Sequence, residues 1–374
     1  MGSRTEWREV REFLNGNRHA LGASASALYP DLPRVEGTPL LTRPEWIPGA
    51  PLPLESVRLR WDPRPAPPAV TGPDDGLPPG YGTYAEAIGA LAPPAVFEDR
   101  PIYRLLDADL TGAAPFLAFG PATYFDVLNV GEAAAHELAA DVAAGRPAGT
   151  GPGLRRRAGD PRDLSRRTAG LAITTLTVTR SGSYLLHWRD PAKVAHAGGL
   201  HQVVPVGVFQ PVHRGHDEGG VHGGHGGLGG LGGLGGLGDP ADLDLWRCMV
   251  REFSEELLGT GEDYGPGFDQ EAWPFHRALS AAREDGRLSV SCLGLGVDPL
   301  TFAVDVLTVA VFDDAAFGEL FGGRVTVNAE GRIARAPFDG TVPSPAQPAG
   351  AAALRLAWRH RAALGLAVRS GRAP

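Results

Sequence analysis

The chain has 374 residues, of which 43% are hydrophobic and 21% are charged, and its formal net charge at pH 7 is −8. This length accommodates two or three domains, and this hydrophobic content is enough for buried cores. The negative charge argues against a broad nucleic-acid-binding face, so no nucleic-acid partner is expected.

Neither secretion nor membrane insertion is predicted. The N-terminal sequence MGSRTEWREVREFLNG lacks the apolar region of a signal peptide. No run of residues approaches the roughly 20 apolar residues that span a bilayer. Cys248 and Cys292 lie among apolar neighbours and are expected to be small buried residues rather than a disulfide framework. We therefore expect a cytoplasmic protein with no membrane partner.

Residues 1–94 are predicted to form an N-terminal unit made of one helix and a proline-rich segment. Between Thr5 and Leu21 the apolar residues recur near helical spacing. From Tyr29 to Pro94 prolines recur, as in PRPAPPAV, and helices do not continue through such runs. We expect extended chain that either wraps a neighbouring domain or acts as a linker, with short strands such as SVRLRW. A DNA-binding helix-turn-helix is not predicted, because only one good helix is found.

Residues 95–374 are predicted to form a second domain, which begins with the strand-like segments PIYRLLDADL and PFLAFGPATYF. A helix is expected at Asp126–Ala144 and a strand at Leu200–Gln210. Between them, Leu171–Thr179 and Ser183–Arg189 flank a glycine-containing turn and predict a β-hairpin. The six arginines between Arg155 and Arg167 alternate with acids and are expected to be solvated.

The remainder of the chain predicts further helices and strands around one low-complexity segment. Residues 211–239 are expected to be a flexible insertion, since 13 of the 20 residues from Gly219 to Gly238 are glycine. A helix is expected from Asp239, as its N-cap, to Leu258. The other expected elements are helices at Glu271–Glu284, Phe317–Gly323 and Ala351–Leu364, and the strands RLSVSCLGLGVD and TFAVDVLTVAVF. This irregular alternation favours an α+β fold over a doubly wound parallel sheet.

The segment WRCMVREFSEELLG is the main indication of function in the sequence. Helical periodicity places Glu252, Glu255 and Glu256 on one side of a helix whose other side is apolar. Three carboxylates on one rigid face can hold a hard divalent cation such as Mg²⁺. The alternative is a solvated helix whose acids simply face water.

The residues from Arg251 to Glu256 resemble the end of the Nudix signature, Arg-Glu-hydrophobic-x-Glu-Glu. The preceding order of hairpin, glycine pair, strand and glycine-rich loop resembles that family too, over about residues 171–313. The resemblance implies a Nudix-like mixed sheet flanked by helices. The chain departs from the signature at two places. Leu258 stands where the signature has glycine, and Leu243 stands where it has an upstream acid.

The resemblance also implies an activity and its residues. Glu252, Glu255 and Glu256 would bind Mg²⁺ or Mn²⁺, and Arg251 would orient them. Glu255, Glu256 and Arg251 would be the catalytic residues for hydrolysis of a nucleoside-diphosphate-linked compound by a metal-activated water.

Two functions follow from these patterns. One is a pyrophosphohydrolase acting on a nucleotide-like small molecule, with Trp188, Arg189 and Lys193 as ligand-binding residues. The other is a ligand-sensing module without turnover, because segments such as LLHWRDPAKVAHAGG and LRLAWRHR are similar to a wider actinobacterial family of Nudix-like proteins often labelled regulators. The intact Arg-Glu-x-x-Glu-Glu favours the first function, and the missing upstream acid favours the second.

Overall fold

The computed structural model describes residues 3–94, 97–149, 153–189, 199–212, 240–265, 267–322 and 331–366. These residues form nine α-helices and eleven β-strands. The helices are α1 (Arg4–Gly16), α2 (Arg18–Ala27), α3 (Tyr84–Leu91), α4 (Tyr124–Ala143), α5 (Leu154–Ala158), α6 (Leu245–Leu258), α7 (Pro274–Glu284), α8 (Asp314–Phe321) and α9 (Pro348–Arg359). The strands are β1 (Leu52–Pro53), β2 (Arg58–Trp61), β3 (Pro101–Asp109), β4 (Phe116–Thr123), β5 (Leu171–Thr179), β6 (Ser183–Arg189), β7 (His201–Val203), β8 (Val206–Val208), β9 (Leu288–Val297), β10 (Val304–Phe312) and β11 (Gly331–Pro337).

The strands form two mixed sheets flanked by helices, which confirms the α+β class. The larger sheet has the order β1-β9-β10-β5-β6-β11, in which β10 runs parallel to β5 and the other neighbours are antiparallel. The smaller sheet has the order β2-β4-β3. Within the described residues, none of the helices combines the length and the apolar composition that crossing a lipid bilayer requires.

The two strands of the predicted hairpin diverge from each other soon after their turn. Val178 and Tyr184 are the pair that joins β5 to β6, and farther on β7 pairs with β6 while β8 pairs with β5. The single strand expected at Leu200–Gln210 is therefore two short strands. Pro205 separates them, because it has no amide hydrogen to donate to a ladder. The chain crosses from β6 to β5 at this point, and β8 then lies under α6.

The central strands of the larger sheet are buried on both faces. Every residue of β10 is buried, and the alternation along the strand sends Val306 and Ala310 into one core and Leu307 and Val309 into another. Helix α6 contributes to the first core and α9 to the second. The two faces of this sheet therefore provide two separate environments.

The N-terminal segment joins both sheets. Leu41 and Val297 exchange two backbone hydrogen bonds of 2.9 and 2.8 Å, β1 pairs with β9, and β2 pairs with β4. Trp46 and Leu54 are buried in the same core as α6. The helix expected at its start is two helices, α1 and α2, separated at Asn17. Helix α3 was not predicted.

The prediction that the arginines from Arg155 to Arg167 are solvated is wrong for the first and the last of them. Arg155 is 4% exposed, and its guanidinium donates to the carbonyl oxygens of Pro299 at 2.6 Å and Ala134 at 3.2 Å. Arg167 is 2% exposed and donates to the carbonyl oxygen of Phe302 at 2.6 Å. Arg155 therefore joins α4 to the turn that precedes β10, and Arg167 binds the same turn.

We predict that Arg155→Ala lowers the free energy of unfolding by about 3 kcal/mol, because it leaves buried carbonyl oxygens without charged donors. Arg156→Ala is the matched control, since Arg156 is exposed on the same helix, and it is expected to change stability by less than about 0.5 kcal/mol. Urea denaturation of the wild type and both variants measures the difference. Equal midpoints for the two variants would contradict the structural role given to Arg155.

Candidate functional site

Helix α6 begins later than the sequence indicated. Asp244, rather than Asp239, is the N-cap, and its side chain accepts a hydrogen bond of 2.9 Å from the backbone N–H of Arg247. The residues Pro240–Asp242 form a separate 3₁₀ turn, and Asp239 lies outside the described residues. The helix ends at Leu258 as predicted, and Gly259 follows it with a φ of 71°, the left-handed conformation that glycine adopts without strain.

The apolar side of α6 fixes the helix against the sheet. Met249, Val250 and Phe253 are fully buried, and the Phe253 ring lies 5.8 Å from the rings of both Phe312 and Phe321. Truncating a phenylalanine in such a core typically costs about 3–5 kcal/mol. The direction of every other side chain on α6 is therefore set by this packing.

The three glutamates of α6 do not point into bulk water. Glu252 is 9% exposed, and Glu255 and Glu256 are half-buried. Burial of a carboxylate without a compensating cation is unfavourable, because the charged form loses its hydration. The acids of this helix are thus not an ordinary solvated face.

Glu252 occupies a space that exists because residue 207 is glycine. A Cβ atom built on Gly207 would lie 1.8–2.0 Å from the carboxyl atoms of Glu252. Among the described residues no hydrogen-bond donor reaches this carboxylate. Burial raises the pKa of Glu252 well above its ordinary value, and the nearby charges of Glu255 and Glu256 raise it further.

The other two carboxylates have protein partners. Tyr264 donates a hydrogen bond of 2.8 Å to Glu255 Oε1. Burial raises the pKa of Glu255 to about 7, although the Tyr264 hydrogen bond acts in the opposite direction. Glu256 Oε1 accepts a hydrogen bond of 2.6 Å from the backbone N–H of Val206, and its Oε2 lies 3.8 Å from Nδ1 of the buried His187.

Arg251, expected to orient the glutamates, is directed elsewhere. Its guanidinium donates to Gln270 Oε1 at 2.9 Å and to the carbonyl oxygen of Gln210 at 2.7 Å. Gln270 in turn donates to the carbonyl oxygen of Arg247 at 2.7 Å. Within the described part of the chain, no ion pair joins Arg251 to a glutamate. Its charge nevertheless lowers the pKa of Glu252, so it acts on the cluster through space.

The position of the missing upstream acid is filled by an apolar residue. Leu243 packs against the core. Its neighbours Asp242 and Asp244 are engaged at the start of α6: Asp242 Oδ1 lies 3.4 Å from Nη2 of Arg247, and Asp244 caps the helix. Eight residues along α6, or about 12 Å, separate the N-cap Asp244 from Glu252. Neither aspartate replaces the upstream acid at the cluster.

A different acid lies near the cluster. The charge of Glu262 raises the pKa of both Glu252 and Glu255, while its own carboxylate pairs with Arg100. Glu262 and Tyr264 lie in the loop after α6, and neither was predicted to belong to the site. No periodicity marks this loop, so only its closeness to the acidic helix could have drawn attention to it.

The cluster is all oxygen in its donors, which suits Mg²⁺ or Mn²⁺ better than a softer metal. Among the residues that the structure describes, no three His, Cys, Asp or Glu side chains already surround one common metal position. Among the described residues no donor reaches the Glu252 carboxylate, whereas Glu255 Oε1 accepts a hydrogen bond from Tyr264.

The predicted ligand-binding residues do not assemble in one place. The alternation along β6 puts Trp188 on the opposite face of the sheet from His187, with the Arg332 guanidinium 5.5 Å from its ring centroid. Arg189 lies on the His187 face, and its Nη1 is 3.4 Å from Oε1 of Gln202. Lys193, and the glycine-rich insertion from residue 213 to 239, lie outside the described residues.

We predict that ionisation of Glu255 destabilises the metal-free protein. The folded state keeps a proton on Glu255 up to about pH 7, whereas the unfolded chain releases it near its ordinary value of 4.5. Stability should therefore fall as pH rises between these values. At pH 8, in chelator, Glu255→Gln should exceed the wild type by about 2 kcal/mol in free energy of unfolding, and at pH 5 the two should match.

Denaturant titrations from pH 5 to pH 8 measure this difference. Glu9→Gln is the control, since Glu9 is exposed on α1 and has no such burial. Stability curves of wild type and Glu255→Gln that stay parallel across this range would rule out the assigned burial effect.

Comparison with known proteins finds no match, either among protein-family models or among curated proteins. The resemblance to Nudix proteins therefore depends on the residues from Arg251 to Glu256 and on the order of elements before them. The chemistry of its own side chains is then the main indication of what the acidic cluster does.

Proposed function

We propose that α6 carries a divalent-metal site of Nudix-like type, at which the protein binds and hydrolyses a nucleoside-diphosphate-linked compound. The observation that carries this proposal is the burial of Glu252 beside Gly207 without a donor, next to two further glutamates. No donor among the described residues contacts that carboxylate, and a divalent cation would supply a direct counter-charge. Strongly shifted carboxyl groups gathered at one place are typical of functional sites.

The residues of the chain have separate tasks in this proposal. Glu252, Glu255 and Glu256 would hold Mg²⁺ or Mn²⁺, and the bound metal would activate water and neutralise charge on the diphosphate. Arg251 keeps α6 in place through Gln270 and Gln210, and it offsets part of the negative charge. Tyr264 holds one oxygen of Glu255 in position.

Two of the predicted ligand residues fit this site unequally. Arg189 lies on the same face of β6 as His187, so its guanidinium suits a phosphate near α6. Trp188 lies on the other face of the sheet, so it would not contact a ligand bound at the glutamates. The proposal therefore retains Arg189 and omits Trp188.

A second candidate function is a ligand-sensing module without turnover. Leu243 in place of the upstream acid favours it, and so do the protein hydrogen bonds that already hold Glu255 and Glu256. In that case the cluster would bind a cation and a diphosphate but would not release product. The two candidates share the metal site and differ in catalysis.

We predict that the wild type releases product from at least one member of a panel of ADP-ribose, NADH, dinucleoside polyphosphates and NTPs, with Mg²⁺ or Mn²⁺ present. Glu255→Gln and Glu256→Gln should each lose activity by about 100-fold or more, since even outer partners of a metal site contribute about 10–100-fold. Glu9→Gln should retain wild-type activity. Mn²⁺ binding to the same proteins, followed by electron paramagnetic resonance, provides a second measurement.

The outcomes separate the two candidates. Absence of product from the wild type, with Mn²⁺-dependent binding of a panel member, would remove the enzyme and leave the sensing module. Absence of Mn²⁺ binding at millimolar concentration would remove both.

A further inference from the structure

A cavity of about 540 Å³ lies on the side of the larger sheet that faces α9, away from the acidic cluster. Its floor is formed by Ala172 and Thr174 of β5, Val208 of β8 and Asp305 of β10. Its walls come from α2, α4, α9 and the turn between β9 and β10. None of the glutamates of α6 lines it, so it is a separate place in the molecule.

Small residues contribute to two of the helical walls of the cavity. Gly22 and Ala23 of α2 line one side, and Ala349 and Ala351 of α9 line another. A Cβ atom added to Gly22 would meet no other atom within 4 Å. Protein interiors normally leave few voids larger than a water molecule. This volume instead falls within the roughly 300–1,000 Å³ of small-molecule pockets.

Asp305 is an ionisable group in the floor of this cavity. It is 8% exposed, and its Oδ1 accepts a hydrogen bond of 2.7 Å from the Thr174 hydroxyl. No donor among the described residues reaches its second oxygen. Burial raises the pKa of Asp305 to about 7, the Thr174 hydrogen bond opposes this shift, and the neighbouring Asp298 carboxylate adds to it.

The cations near the cavity are already bound to protein acceptors. Arg18 donates to Glu132 at 3.0 and 2.8 Å, and Arg355 donates to the carbonyl oxygen of Glu36 at 2.7 Å. The Asp298 carboxylate accepts from its own turn, at Leu300 N. The other charged or titratable side chains that line the cavity with Asp305 are Arg18, His19, Tyr124, Glu132, Asp298 and Arg355. Asp305 therefore has room for a counter-charge that comes from outside the chain.

We propose that this cavity binds an apolar organic amine, whose ammonium group pairs with the carboxylate of Asp305. The small-residue walls accept the apolar part of the ligand, and Asp305 fixes its orientation. An anionic ligand is disfavoured, because it would lie beside the Asp305 carboxylate while Arg18 and Arg355 already donate to protein acceptors. This site shares no residue with the three glutamates of α6.

The test uses isothermal titration calorimetry of the full chain with hexylamine and 2-phenylethylamine, and with hexanol and 2-phenylethanol as neutral analogues. Each amine is expected to bind at least tenfold more tightly than its alcohol. Primary amines of this kind stay protonated between pH 6 and pH 8, like lysine. The ionised fraction of Asp305 rises about tenfold over that range, so amine affinity should rise about tenfold as well.

Two variants make the test specific. Asp305→Asn should weaken amine binding at least tenfold and abolish its pH dependence, whereas a dependence carried by another group would persist. Gly22→Phe should fill the cavity and weaken binding at least tenfold, without a lower unfolding temperature. The Gly22→Phe variant therefore tests the proposal even if Asp305→Asn does not fold.

The outcome of this test can be distinguished from the outcome of the test of the α6 site. Glu255→Gln should bind the amines like wild type, and Asp305→Asn should bind Mn²⁺ like wild type. Equal affinity for amines and alcohols would overturn the proposal. So would the absence of amine binding up to about 10 mM, a free energy of only about −3 kcal/mol.

Discussion

The contact between Glu252 and Gly207 is the constraint on which the acidic cluster depends. The carboxylate fills the space that any other residue at 207 would need for its Cβ atom. Because β8 lacks a side chain there, α6 lies close enough for the Val206 N–H to reach Glu256. A larger residue at 207 would push α6 away or turn Glu252 outward, and either change would separate the three carboxylates.

This arrangement is unfavourable for the folded chain when considered alone. Glu252, Glu255 and Glu256 lose hydration and repel one another as they ionise. The packing of Phe253 and its apolar neighbours holds the helix in place in spite of that repulsion. A fold that keeps such a strained electrostatic arrangement on a rigid element resembles the organisation of known functional sites, where local destabilisation accompanies binding or catalysis.

The parts of the fold that depend on local sequence signals were predicted correctly. The bounds of β5 and β6 match the expected hairpin, since its turn and its alternation are local signals. The end of α6 at Leu258, just before Gly259, was predicted for the same reason. The start of α6 was predicted wrongly, because aspartate is a suitable N-cap at both 239 and 244 and the sequence alone does not distinguish them. Helix α3 was not predicted because it lies in a proline-rich segment, although Thr83 and Glu86 form the capping box that marks its start.

Features that depend on distant contacts could not be read in this way. Helical periodicity shows that three glutamates share a side, but it does not show that this side meets the sheet. The burial of Arg155 requires carbonyl oxygens from residues 134 and 299, which are far apart in the chain. The division of Leu200–Gln210 into two strands follows from the divergence of β5 and β6. Only Pro205 hinted at it.

Strand β8 has a consequence that extends beyond either site. Its three residues alternate, so Val208 forms part of the cavity floor while Gly207, one residue earlier, receives Glu252 on the other face. Any displacement of β8 along its own axis moves both surfaces by the same distance. A ligand that prefers one position of this strand in the cavity would therefore alter cation affinity at the glutamates, and the cation would alter the affinity of that ligand by the same factor.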